Sequence, residues 1–251
     1  MSALAISIVI CALLIAGALV GVLLRRALPE HHLDQHAKDI VRLGCGLLAT
    51  IVGLVLGLLI SSAKTGFDTQ LDGIRRMTSN IIMLDSLLDQ YGPEARPARV
   101  AIRNAMPVLV ERLWDDGMSA RPDTPFVASS TGLEVYREIG FLKPATEAQR
   151  FYQGQAMQLA NALVQQRLVL FEQSGGHMPT ALLVVLAVWL FILFASFSLF
   201  SPVNAMALAA VVVIALSASA AIFLILEMYY PFTGLMQIDR EPLLHALRPL
   251  A

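Results

Sequence analysis

The chain has 251 residues, is 57% hydrophobic and carries a formal net charge of −1, with a mean hydropathy of +0.67. So apolar a composition excludes an ordinary water-soluble globule, and so small a net charge gives nucleic acid no electrostatic footprint. The two cysteines, Cys11 and Cys45, both sit inside apolar runs, where a buried thiol is ordinary and no disulfide is expected.

Four apolar runs organise the chain: Ala3–Leu24, Leu43–Ile60, Thr180–Phe200 and Asn204–Met228. Each is close to the ~20 residues that a helix needs to cross the bilayer's hydrocarbon. They form two pairs around a polar middle. The pattern predicts an all-α polytopic membrane protein, with a helical extramembrane domain between the second and third spans. The expected divisions are 1–62 for the first pair, 63–178 for the domain, 179–230 for the second pair and 231–251 for a tail.

The first run lacks a basic n-region, exceeds the apolar stretch of a secretory signal and is followed by Arg25-Arg26, so it reads as a retained span. The connection after it holds Pro29, three histidines and mixed charges, with a short helix leading into the second span. That span does not stop at the membrane. No proline occurs between Arg42 and Gln90, and Phe67, Leu71, Ile74, Ile81, Leu84 and Leu88 continue an apolar stripe. One long helix is expected there. Tyr91-Gly92-Pro93 ends it, with glycine suited to a helix end and proline to the next first turn.

The following helix runs to about Asp116, with Ile102, Met106, Leu109 and Leu113 on one stripe and a kink expected at Pro107. Gly117–Ser130 is a loop with two prolines. A short helix over Leu133–Ile139 and a long one from Thr146 to about Gln173 follow. Ser174-Gly175-Gly176 breaks the chain before Pro179 opens the third span, a bend at the membrane surface or a hinge. Ser201–Asn204 is a tight turn that makes the last two spans an antiparallel pair. The fourth span is rich in alanine and serine, which allow close packing, and Tyr229 and Tyr230 suit an interfacial aromatic belt.

With an even number of spans, both termini and the large domain share one side. Lys and Arg near span ends do not orient the chain: Arg25, Arg26, Lys38 and Arg42 face Lys64, Arg75, Arg76, Arg167 and Arg240 across the membrane.

Several constellations carry candidate chemistry. His31, His32 and His36 form the one histidine cluster, but nothing completes a ligand set, so no metal is expected. No HExxH, GxSxG or P-loop pattern occurs, so neither an enzyme, a catalytic residue nor a cofactor is expected. Arg96, Arg99 and Arg103 share a helix face. They suit an anion-attracting vestibule, or a solvated face paired with neighbours such as Glu94. Basic and acidic side chains nearly balance across 64–178, so that domain has no strong net field.

Two stripes run along the second span. Ala49, Gly53, Gly57 and Ser61 recur every four residues, a pattern for close helix packing. Beside them run Thr50, Leu54, Leu58 and Ser62. If the small stripe packs on neighbours, the second faces an axis, and rings of leucine make a hydrophobic constriction that gates by dewetting. Ordinary packing within a bundle is the alternative. Glu227, at the end of the fourth span, is an ionisable group where function is the default expectation, although its interfacial depth lets it reach water.

Arg42–Thr69, Leu84-Asp85-Ser86-Leu87-Leu88-Asp89-Gln90-Tyr91-Gly92-Pro93-Glu94, and Leu226-Glu227 through Pro231-Phe232-Thr233-Gly234 resemble a bacterial family of four-span membrane proteins termed bestrophin-like. More distantly, the order of elements is similar to the bestrophins, pentameric anion channels whose second span lines the pore. Leu54-Val55-Leu56-Gly57-Leu58 resembles the bestrophin neck, which implies that Thr50, Leu54 and Leu58 stand at the constriction. Phe67-Asp68 resembles the start of the helix's cytosolic extension. Three departures matter. Tyr229 replaces an acidic residue of the tail motif, the tryptophans and basic residues after Phe67-Asp68 are missing, and Asp239 and Glu241 stand alone instead of forming a calcium-binding run. Calcium gating is therefore not implied.

The resulting expectation is a homo-oligomeric ion channel in a bacterial inner membrane, five subunits ahead of four or six, with 64–178 in the cytoplasm. Its partners are the lipid bilayer, copies of itself and small inorganic ions, with anions such as chloride implied by the resemblance alone. The alternative is a membrane-anchored sensor or scaffold that binds partners through the helical domain. An ion-coupled transporter built on Glu227 lacks the broken spans of a midplane site.

Overall fold

A computed structural model describes residues 3–27, 35–114, 130–174, 180–200 and 205–246. Among these the regular structure is entirely helical. In chain order it comprises α1 (Ala3–Ala27), α2 (Gln35–Tyr91), a 3₁₀ turn (Pro93–Ala95), α3 (Arg96–Trp114), α4 (Ser130–Phe141), α5 (Glu147–Ser174), α6 (Thr180–Phe200), α7 (Ala205–Tyr229) and α8 (Glu241–His245). Four of the described helices, α1, α2, α6 and α7, are long and apolar enough to cross a membrane. The protein is a multi-pass membrane protein. Helices are the form this sequence must take there, because hydrocarbon offers the backbone no hydrogen-bond partners.

The chain divides into two units, 1–66 with 177–229, and 67–176 with 230–251. In the first, α1 packs along both α6 and α7. The buried positions of α1 (Ser7, Ile10, Leu14, Gly17, Ala18, Gly21) fall three or four apart, one stripe of a helix. Gly17 and Gly21 both face α6. A Cβ on Gly17 would lie 2.9 Å from the Phe191 carbonyl oxygen, and one on Gly21 would collide with the Ala195 carbonyl. Glycine is thus required for the approach of the two backbones. The α1–α7 contact includes a polar link: the Ser219 hydroxyl donates to the Ser7 carbonyl at 2.7 Å, while Ser7 Oγ donates to the Ala3 carbonyl at 2.9 Å. α2 contributes Cys45, Val52, Leu59 and Ala63 to the same core.

The second unit has its own core. α2 supplies Ile74, Met77, Ile81, Leu84 and Leu88, and α3 supplies Ile102, Met106, Val110 and Leu113. These follow the stripes visible in the sequence. α2 runs 57 residues without a break, about 85 Å at 1.5 Å per residue. It ends where Gly92 takes φ 120 and ψ −174, a region that is essentially glycine's alone. α5 starts from Thr146, whose Oγ1 accepts from the Gln149 N–H at 3.1 Å, and the Gln149 side chain returns to accept from the Ala145 N–H at 2.8 Å. This reciprocal arrangement is close to a capping box.

The structure extends the sequence reading at α4 and in the tail. α4 is longer than Leu133–Ile139, since it also takes in the flanking turns at Ser130 and Phe141. α3 continues through Pro107 to Trp114. Residues 230–246 do not stand apart: Phe232, Ile238 and Leu243 are buried in the second core. The Trp114 indole N–H donates to the Ile238 carbonyl at 2.8 Å, and its ring meets Phe232 edge-on at 5.4 Å. The expected loop after α3, the Gly175-Gly176 break, the 201–204 turn and His31 and His32 lie outside the described residues.

Replacing Gly21 with alanine forces a methyl group into the Ala195 carbonyl. Thermal unfolding of the full chain in detergent should show a loss of about 1–3 kcal/mol; an unchanged midpoint would refute the close α1–α6 approach.

Candidate functional site

The sequence singles out α2, and the structure sorts its faces. Cys45, Val52, Leu59 and Ala63 turn into the transmembrane core. The opposite positions do not. Leu54 and Leu58 are 65% and 63% exposed in the single chain, and Thr50 and Ser62 beside them are exposed too. The small stripe is equally open: Ala49 and Ser61 are exposed, and a Cβ on Gly53 or Gly57 would meet no atom within 4 Å. Packing among the described residues of one chain therefore does not explain either stripe. In a bilayer such open faces meet lipid, another copy of the chain, or a water-filled axis.

The chemistry of this face is simple. No charged residue occurs on α2 between Arg42 and Lys64. The Thr50 hydroxyl donates to the Gly46 carbonyl at 2.9 Å, one turn back in its own helix. That bond spends its proton locally and leaves its oxygen lone pairs and methyl group outward. Below it, Leu54 and Leu58 present only hydrocarbon. An ion passing this face would find no group to replace its hydration shell, so the face can act as a hydrophobic barrier but not as a charged filter.

The arginine cluster belongs to the other unit. Arg96 and Arg103 are exposed on α3. Arg99 lies between them and is committed elsewhere. Its Nε and Nη2 donate to the two carboxylate oxygens of Asp85 at 2.7 and 3.0 Å, and its Nη1 donates to Asp89 at 2.5 Å. Two parallel N–H···O bonds to one carboxylate form the strongest geometry available to such a pair. The Asp85 hydrogen bond, and after it the charge of both carboxylates, holds the Arg99 guanidinium above its usual pKa, against the opposing effect of partial burial. Asp85 and Asp89, rather than Glu94, are thus its partners. They sit four residues apart on α2, a signal visible in the sequence only once the α2–α3 register is known. Nearby, burial and then the charge of Glu94 raise the Tyr91 phenol above its ordinary value.

Glu227 departs from the sequence expectation. It is 5% exposed and buried near the end of α7, and it makes a polar or electrostatic contact within the chain. Its neighbours Ile225 and Leu226 belong to the transmembrane core. The residues that sequence reasoning passed over are Gly17 and Gly21, although their spacing is the same small-xxx-small signal noted on α2.

A family model described as Bestrophin-like domain matches residues 12–243 of the chain. No curated protein and no solved structure matches it.

The Arg99 bridge yields a stability test. Its side chain is 28% exposed and that of Asp85 only 15%. Arg99→Met leaves a largely buried carboxylate unpaired, and should cost about 1–3 kcal/mol in thermal or denaturant unfolding. Adding Asp85→Leu should recover part of that loss, a positive coupling in the double-mutant cycle. Additive losses would show that the pair contributes nothing jointly.

Proposed function

Since the chain belongs to the bestrophin-like family, matched over residues 12–243, we propose that it is a homo-oligomeric ion channel whose conduction path is lined by α2. The observation that carries this reading is the open Thr50/Leu54/Leu58/Ser62 face, on the helix whose other side is buried in the transmembrane core. One chain cannot enclose a path with a single open helix face. Copies arranged around an axis can, each contributing one α2. In that arrangement Ala49, Gly53, Gly57 and Ser61 pack on the adjacent copy, since glycines with empty space at Cβ allow a second helix to approach closely.

The neck is then a ring of Leu54 and Leu58. Side chains without hydrogen-bonding groups expel water from a narrow ring, so conduction is limited by ion dehydration. With no charge on this stretch, the more weakly hydrated ions pass more readily. Chloride as the permeant ion, five subunits, a bacterial inner membrane and a cytoplasmic second unit rest on the bestrophin resemblance. Arg96 and Arg103 are the side chains that would attract anions, because Arg99 is neutralised by Asp85 and Asp89. Glu227 is a candidate functional acid, its burial being what sets it apart from a surface carboxylate.

Assembly is tested first. Native mass spectrometry of the detergent-solubilised chain should show one closed oligomer, pentamer ahead of tetramer or hexamer; monomer alone would end the channel reading.

Conduction is tested at the neck. Leu54→Ala with Leu58→Ala should widen and wet the constriction, and chloride efflux from liposomes should rise above that of the parent. Both leucines are exposed in the single chain, so its own stability should hardly change. Unchanged efflux with a weakened oligomer would move these leucines to a subunit interface. Unchanged efflux with unchanged assembly would make them lipid-facing, and would favour a scaffold that uses exposed apolar groups such as Phe141 and Phe151.

A further inference from the structure

The second unit is not solid. A cavity of about 100 Å³ lies among α2, α3, α4 and α5. Three of the described positions on its wall carry the smallest side chains: Ala105 on α3, Gly132 on α4 and Ala160 on α5. The buried thioethers of Met77 and Met106 also line it. A void of this kind forfeits the dispersion contacts that its walls would otherwise make. An occupant of matching size and polarity restores them.

Size, polarity and charge each narrow that occupant. An apolar cavity of about 150 Å³ stays dry and takes up benzene or xenon. This one is smaller, which excludes an acyl chain and leaves room for a xenon atom or a hydrocarbon of about three or four carbons. Water is a poor occupant, because it needs two to four polar partners and the walls are almost wholly hydrocarbon. Among the described residues two polar side chains line the cavity, Tyr136 and Arg167. Arg167 already has a partner within the chain. Tyr136 is 41% exposed, so water can serve its hydroxyl. Neither side chain calls for an ionised or hydrogen-bonding ligand.

We propose that this cavity is a binding site for one small, uncharged, apolar molecule. Dispersion holds the ligand, and no hydrogen bond or charge takes part. The sulfurs of Met77 and Met106 are its most polarisable neighbours, and their unbranched side chains adapt to its shape. Affinity is set by how well the ligand fills the space between Ala105, Gly132 and Ala160. The site lies wholly within the second unit, and it stands or falls independently of conduction along α2.

The probe is xenon, which has neither charge nor hydrogen-bonding groups. The full chain is held in amphipol with isotope-labelled methionine methyl groups, and their NMR resonances are followed as the xenon pressure is raised. The Met77 and Met106 methyls should shift along one saturating curve. Met83 and Met236, in the same unit but 55% and 41% exposed, should drift only linearly, as xenon dissolves in the amphipol. Ala105→Leu should reduce the Met77 and Met106 shifts to that linear background while the thermal midpoint holds or rises, because the new side chain occupies the void. Shifts at Met77 and Met106 that do not saturate, or that match those of Met83 and Met236, overturn the proposal. So do saturating shifts that persist in a folded Ala105→Leu. If that variant fails to fold, Ala160→Val serves as the filling substitution, and the contrast between buried and exposed methyls in the parent is decisive without either.

Discussion

Backbone amides and carbonyls find no partners in hydrocarbon, and most of this structure follows from that constraint. Each apolar run must close its own hydrogen bonds, so each is a helix. Lipid gives such helices little hydrophobic reason to associate, because their apolar side chains are equally at home among acyl chains. What holds α1 to α6 and α7 is therefore local: backbones brought together at Gly17 and Gly21, and a buried serine hydroxyl donated from Ser219 to the Ser7 carbonyl. Exposure of apolar side chains elsewhere on these helices is what a membrane protein must show.

α2 contributes to two separate cores. Up to Gly66 it belongs to the transmembrane unit, and from Phe67 to the second unit. The residues it buries change accordingly, from Cys45, Val52, Leu59 and Ala63 to Ile74, Met77, Ile81, Leu84 and Leu88. In the second unit charged side chains help to join the helices. Arg99 is gripped by Asp85 and Asp89 there, while α2 between Arg42 and Lys64 has no charge at all. The bilayer accounts for that lack of charge on the face proposed to line a conduction path.

The element types were legible in the sequence because each signal is local. Apolar run length against bilayer thickness identified the spans. The absence of proline between Arg42 and Gln90 foretold the long α2, and Gly92-Pro93 marked its end. Within α2 the two open stripes were visible as spacings. Which stripe of which helix is buried was not. The small stripe of α2 is open in the protomer, whereas Gly17 and Gly21, with the same spacing on α1, are closed against Phe191 and Ala195. Small residues permit close approach on either helix, and only the presence of a neighbour decides whether it happens.

Sequence by itself thus determined that the chain is helical, that it crosses the membrane, where α2 ends and to which family it belongs, since periodicity, length and motif are properties of neighbouring residues. Tertiary structure decided the rest. It brought Asp85 and Asp89 to Arg99 and the tail residues Phe232, Ile238 and Leu243 into the second core. It buried Glu227, which stands in sequence at the edge of an apolar run. Each of these joins groups on different helices, and their pairing depends on register and rotation that no single segment encodes.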